Sequence, residues 1–153
     1  METPPRLYAV PVYRVSLVRD SALKTEQRPI LRNSEDAYNL LKDWFLDNDR
    51  EEFVIIMLDM KNKVIGINSV STGSISSSIV HPREVFKPLI LHNAASVILS
   101  HNHPSGDPTP SAEDKAITKR LREVGDIMGI PVRDHVIVGD GRYVSFVDDG
   151  LWE

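Results

Sequence analysis

The sequence contains no cysteine. That excludes disulfides, thiolate zinc sites, iron–sulfur clusters and cysteine nucleophiles, so any metal held here is held by nitrogen and oxygen. It has no excess of basic residues either: 18 Lys and Arg stand against 22 Asp and Glu, giving a net charge of −4 and a pI near 5.7. A general nucleic-acid-binding domain carries a basic footprint that this balance does not supply. No apolar run approaches the roughly 18 residues of a membrane span. The opening METPPRLYAV has two prolines and no apolar h-region, so it does not read as a signal peptide, and a cytoplasmic protein is the expectation. What is present is ordinary for a globular chain: 153 residues, 41% hydrophobic and 26% charged, enough for one core.

The patterning predicts an N-terminal arm over 1–11 and one domain over 12–153. Val12–Arg19 alternates in a way that predicts a strand with one apolar face, and Ser21–Pro29 reads as a loop. Asn33–Asn48 is an amphipathic helix that Ser34 can cap, with Ala37, Leu40, Leu41, Trp44 and Phe45 as its apolar stripe. Phe53–Leu58 is a short continuous apolar run, the mark of a buried strand, and Val64–Thr72 returns as its partner. A Ser-rich loop, Gly73–Ser78, leads to a helix opened by His81-Pro82, inside which Pro88 sits awkwardly. Ala95–Ser100 is a second buried strand. Ser111–Met128 is a long helix stopped by Gly129, and Val132–Val138 with Arg142–Val147 flanks a Gly139-Asp140-Gly141 turn. Hairpins interleaved with three helices predict an α/β (α+β) sandwich, one mixed sheet with helices on its faces.

The chemistry gathers in VILSHNHPSGDPTPSAED. His101 and His103 stand two apart at the end of a buried strand, so their imidazoles can point the same way. A Pro/Gly loop turns the chain back, and Asp114 enters on the first turn of the next helix. Two imidazole nitrogens and one carboxylate oxygen suit Zn²⁺, at bonds of about 2.0–2.2 Å, and leave a coordination position for water. Water so bound is acidified toward ~7, the basis of hydrolytic zinc chemistry. A plainer reading stands beside it. Ser111-Ala112-Glu113-Asp114 is also a capping-box pattern that starts a helix, and two histidines beside such a loop can be solvated turn residues.

The spacing His101-x-His103, seven residues, Ser111, two residues, Asp114 resembles the JAMM motif of the MPN-domain metalloproteases. The longer string HPREVFKPLILHNAASVILSHNHPSGDPTPSAED, and RDHVIVGDGRYVSF after it, is similar to the RadC-like branch of that superfamily, from about Val12 to Leu151. The resemblance implies an MPN (cytidine-deaminase-like) fold and one zinc per chain on His101, His103 and Asp114. It also implies an upstream glutamate as general base and Ser111 steadying the oxyanion of the tetrahedral intermediate. Candidates for the base are Glu51, Glu52 and Glu84. The branch's Glu-x-Phe pattern picks Glu51, two before Phe53, and Glu52 must face the other side of the strand. Glu84 has a ready alternative role in complementing a helix dipole.

The implied activity is a zinc-dependent metallopeptidase or isopeptidase acting on a peptide or isopeptide substrate. The competing readings are a DNA-linked hydrolase or nuclease of RadC type and a non-catalytic MPN interaction module. Longer RadC proteins carry an N-terminal helix-hairpin-helix region for which this chain has no matching residues, and the acidic balance also weighs against DNA. Among the remaining residues, His135 is expected to be a buried, hydrogen-bonded histidine. His81 and His92 are expected to serve at helix ends, Asp107 to shape a turn or meet substrate, and Arg83 to contact substrate or pair with a carboxylate.

Overall fold

The computed structural model describes residues 1–76 and 79–152. Among these, three helices and five strands follow in the order α1 (Ser34–Phe45), β1 (Glu52–Leu58), β2 (Val64–Thr72), α2 (Pro82–Leu91), β3 (Ser96–Asn102), α3 (Ala112–Met128), β4 (Val132–Val138) and β5 (Tyr143–Ser145). The strands form one mixed sheet in the order β2-β1-β3-β4-β5. All neighbouring pairs are antiparallel except β3 and β4, which run parallel because α3 crosses between them. The arrangement is the α/β sandwich that the pattern predicts. No helix among the described residues is long and apolar enough to cross a membrane.

The sheet is buried on both faces, which is why β1 and β3 read as unbroken apolar runs rather than alternating ones. Alternation returns in what each residue touches. Phe53, Ile55, Met57, Val97 and Leu99 pack with Val85, Phe86 and Leu89 of α2 and Ile117 and Leu121 of α3. Val54, Ile56, Leu58, Ile98, Val136 and Val138 pack with Ala37, Leu41 and Phe45 of α1 on the other face.

Helix ends follow local chemistry, with one change from expectation. The cap of α1 is Asn33, whose side chain accepts from the Asp36 amide at 2.9 Å. Ser34 is instead the first helical residue and points across to Tyr143 and Asp148. His81 caps α2 by accepting from the Arg83 amide, and His92 closes it, its Nδ1–H donating to the Pro88 carbonyl at 2.9 Å. Ser111 caps α3, and Gly129 ends that helix in left-handed backbone at φ 72°.

The strand expected over Val12–Arg19 does not form. Residues 1–28 lie in no element and are exposed throughout, Val12 at 95% and Tyr13 at 85%. Its alternation supplies an apolar face, but a strand also needs a hydrogen-bonded neighbour and a surface to cover that face, and among the described residues neither adjoins this segment. Pairing starts at Ile30, which forms an antiparallel bridge to Lys63. Two shorter shifts sit at strand ends. β3 begins one residue later than expected and extends through Asn102, so His101 lies inside the strand, and β5 contracts to three residues. The Gly73–Ser78 loop falls in part on residues 77 and 78, outside the described residues.

Candidate metal centre

Residues His101, His103 and Asp114 come from the end of β3, the loop that follows, and the first turn of α3. His101 is fully buried and Asp114 nearly so, while His103 is half-buried. His101 Nε2 lies 3.1 Å from His103 Nε2 and 3.2 Å from Asp114 Oδ1, and His103 Nε2 lies 3.1 Å from Asp114 Oδ2. These three residues form a group able to hold a metal ion. Ligand atoms at ~2.05 Å from a tetrahedral Zn²⁺ stand about 3.3 Å apart. The observed spacings fit that triangle within a few tenths of an ångström, so the residues present suit the ion.

The orientation of His103 has a local cause. Its Nδ1 lies 2.8 Å from the backbone carbonyl of Asp107. A carbonyl only accepts, so Nδ1 carries the hydrogen and Nε2 is left to face the cluster. The loop that supplies this carbonyl is pinned from behind. The Asp140 amide donates to the Gly106 carbonyl at 2.8 Å, and the His103 amide to the Val138 carbonyl at 2.9 Å. A Cβ on Gly139 would stand 2.3 Å from the Gly106 carbonyl oxygen, so only glycine permits the approach. Asp107 thus shapes a turn: its side chain receives the Thr109 amide and hydroxyl, and its backbone orients His103.

Asp114 holds two positions at once. Its carboxylate accepts from the Ser111 amide at 2.9 Å, while Ser111 Oγ accepts from the Asp114 amide at 3.0 Å, closing a reciprocal capping box. The two readings of the Ser-x-x-Asp pattern therefore coexist. Burial opposes ionisation of Asp114, but hydrogen bonds with His101 and His103 outweigh it and hold the carboxyl far below the ordinary carboxylate range. His103 is pushed the other way: its bond to Asp114 outweighs burial and raises its affinity for a proton, with the negative charge of Glu51 adding to the effect.

The three candidate glutamates part company. Glu51 is half-buried, accepts the Ile75 amide on Oε2 at 2.9 Å, and is near enough for His103 to feel its charge. Glu52 turns to the α1 side, where it accepts from Trp44 Nε1, Asn48 Nδ2 and Ser69 Oγ. Glu84 is exposed on α2 beside Arg83 and Lys87. Arg83 thus pairs with a carboxylate.

His135, expected to be buried and bonded, is fully buried in β4, and its Nε2 lies 2.8 Å from His101 Nδ1. Burial, then the neighbouring His101, push its pKa well below the ordinary value. Thr118, which contacts His135, has no counterpart among the residues picked out from the sequence. Its only signal there was its place four residues after Asp114, on the same face of α3. A cleft between the end of α1 and the β4–β5 turn borders His103 but includes none of His101, Asp114 and Glu51.

Comparison with known proteins agrees with this geometry. The family model for the RadC-like JAB domain matches residues 31–151. A UPF0758 protein of Moorella thermoacetica is 51% identical over 137 residues, covering 90% of this chain and 60% of its own length. UPF0758 proteins of Caldanaerobacter subterraneus and Geobacter sulfurreducens are 55% and 56% identical over 119 and 117 residues, in each case 51% of the relative's length. The chain thus spans about half to three-fifths of these curated relatives. With a family match over most of its length and a mixed sheet carrying the His-His-Asp group, the chain belongs to the RadC-like JAB domain family, within the JAMM/MPN superfamily.

Proposed function

We propose that this chain is a zinc-dependent hydrolase of JAMM type that cleaves an amide bond in a peptide or isopeptide. The observation that carries the reading is the convergence of His101 Nε2, His103 Nε2 and the Asp114 carboxylate at 3.1–3.2 Å from one another. Three acceptors so close are stable together when a cation or protons lie between them. Zinc on these residues supplies a Lewis acid that acidifies water and polarises a carbonyl.

The remaining work falls to the chain. Glu51 is the general base: it takes the proton of the attacking water and returns it to the leaving amine. In support of that role, Glu51 accepts the Ile75 amide, its charge is felt at His103, and it is not part of the His101–His103–Asp114 group. Ser111 donates its hydroxyl hydrogen to the oxyanion. That hydrogen is spare, because in the capping box Ser111 Oγ acts only as an acceptor. Asp114, held ionised, lowers the cost of confining a dication in a buried site.

The test pairs metal analysis with a choice of substrates. Protein purified without chelator is expected to hold one zinc per chain. It is expected to cleave Lys-linked isopeptides or peptides in a chelator-sensitive way and to leave single- and double-stranded DNA intact. Zinc-dependent cleavage of DNA would replace the peptidase reading with a nuclease. Protein that binds zinc yet cleaves neither class would be an interaction module.

A further inference from the structure

His135 and Thr118 take no part in the chemistry above, yet both are buried against it. The His135 ring is stacked on Phe146 at 4.9 Å and meets Phe53 edge-on at 5.6 Å. Its Nδ1 lies 2.5 Å from Thr118 Oγ1 and its Nε2 lies 2.8 Å from His101 Nδ1.

The hydrogens along this line can be assigned by elimination. Thr118 Oγ1 lies 2.7 Å from the Asp114 backbone carbonyl, which can only accept. The single hydroxyl hydrogen is used there, so Thr118 offers His135 only lone pairs, and His135 Nδ1 must carry a hydrogen. The carboxylate next to His135, that of Asp134, is taken up by backbone amides and the Ser145 hydroxyl. A fully buried imidazole without a carboxylate partner carries one ring hydrogen, not two. Its Nε2 is therefore an acceptor, and His101 Nδ1 is the donor that meets it. His101 Nε2 is then the nitrogen left to face His103 and Asp114.

We infer that His135 and Thr118 are positioning residues that form a one-way relay. The His101 Nδ1–H donates to His135 Nε2, the His135 Nδ1–H to Thr118 Oγ1, and the Thr118 O–H to the Asp114 carbonyl, fixing His101 in the tautomer that presents Nε2 to a metal. The relay starts at one member of the cluster and ends on the backbone of another, so it ties β3 to α3 through β4. A buried histidine next to a metal site is easily taken for a spare ligand. Here its ligating nitrogen is already spent on His101. The consequence for metal binding rests on the function proposed above; the tautomer assignment does not.

Two measurements on the full chain separate the two. Histidine-ring ¹⁵N correlation spectra of chelator-treated protein are expected to show His135 as the Nδ1–H tautomer; an Nε2–H tautomer would overturn the relay whether or not zinc binds. Zinc affinity, measured by chelator competition, is expected to fall about 10–100-fold in His135→Phe, which keeps the ring volume and removes the acceptor. His135→Gln places an amide oxygen where Nε2 was and is expected to bind zinc within a few-fold of wild type. Thr118→Val is expected to fall in the same direction by less, and it keeps the test open if the Phe variant fails to fold. Equal affinity in His135→Phe, Thr118→Val and wild type would overturn the inference. Wild-type protein that binds no zinc would count against the proposed function, and the tautomer measurement would still decide the relay.

Discussion

Two buried polar networks lie on opposite faces of the same sheet, and their contrast separates a site from a brace. On the α1 face, Asp134 Oδ1 accepts the His135 and Val147 amides and Oδ2 accepts the Ser145 hydroxyl. Ser145 Oγ in turn accepts the Asp148 amide, and the Ser34 hydroxyl donates to the Asp148 carboxylate. Both oxygens of the buried Asp134 carboxylate and the Ser145 Oγ thus meet a hydrogen from the protein. On the α3 face the histidine Nδ1 hydrogens are committed outward, to Asp107 and His135, and three acceptors are left facing one another. The two aspartates report the difference. Burial raises the pKa of Asp134, its hydrogen bonds only partly offsetting this, whereas at Asp114 burial is overridden by the His101 and His103 rings, which supply protons to the carboxylate when no cation lies between the three, and the pKa is lowered. A surplus of lone pairs, not the presence of buried polar residues, marks the α3 face as the candidate metal centre.

The sharpest test of that contrast is catalytic. Glu51→Gln is expected to lower hydrolysis by roughly 10²-fold or more while zinc content persists, as expected when a general base is removed and the ligands remain. Glu52→Gln and Glu84→Gln are expected to keep most of the rate in the same assay, since their partners lie elsewhere. A rate lost with Glu52 instead of Glu51 would put the reactive side on the α1 face and break the comparison outright.

Next in size, Asp134→Ala leaves the His135 and Val147 amides without their acceptor. Denaturant unfolding is expected to show a loss of about 2–3 kcal/mol, with the zinc stoichiometry of the surviving folded protein unchanged. Loss of zinc along with stability would show that the two networks are coupled through β4.

Ser111→Ala removes the cap of α3 and the spare hydroxyl together. Stability is expected to fall by about 1 kcal/mol, and the hydrolytic rate should fall as well. If both quantities hold at wild-type values, Ser111 has neither role.

The smallest effect concerns pH. Asp134 has a raised pKa in the fold, so the folded state binds its proton more tightly than the unfolded chain does. Its contribution to stability is therefore complete below the ordinary carboxylate value near 4 and is lost as pH rises through the raised folded value. Asp134→Asn keeps an acceptor for both backbone amides and is expected to flatten that part of the stability–pH curve. The same profile before and after the substitution would assign the slope to another group.

The sequence by itself determined the elements whose identity is local. The period of Ala37, Leu41 and Phe45, the Ser111 cap with Gly129 as stop, and the apolar runs that became β1 and β3 all follow from side-chain spacing and backbone preference. It also determined the ligand candidates: a strand end brings residues two apart to one side, and a capping carboxylate must sit at its helix start, so His101, His103 and Asp114 could be picked out before any fold was known.

What it left open was settled by what lies alongside. Val12–Arg19 has a strand's alternation and no neighbour, so it stays uncovered, while β1 gains partners on both edges. Glu51 and Glu52 are chemically identical, and only the side of the sheet each faces sends one toward His103 and the other toward Trp44. The contact between His135 and His101 spans 34 residues of sequence, and Thr118 joins it from a third element. Hydrogen bonds between elements depend on how helices and strands pack, and no spacing along the chain encodes that packing; the tertiary structure alone decided which lone pairs were spent and which were left facing one another.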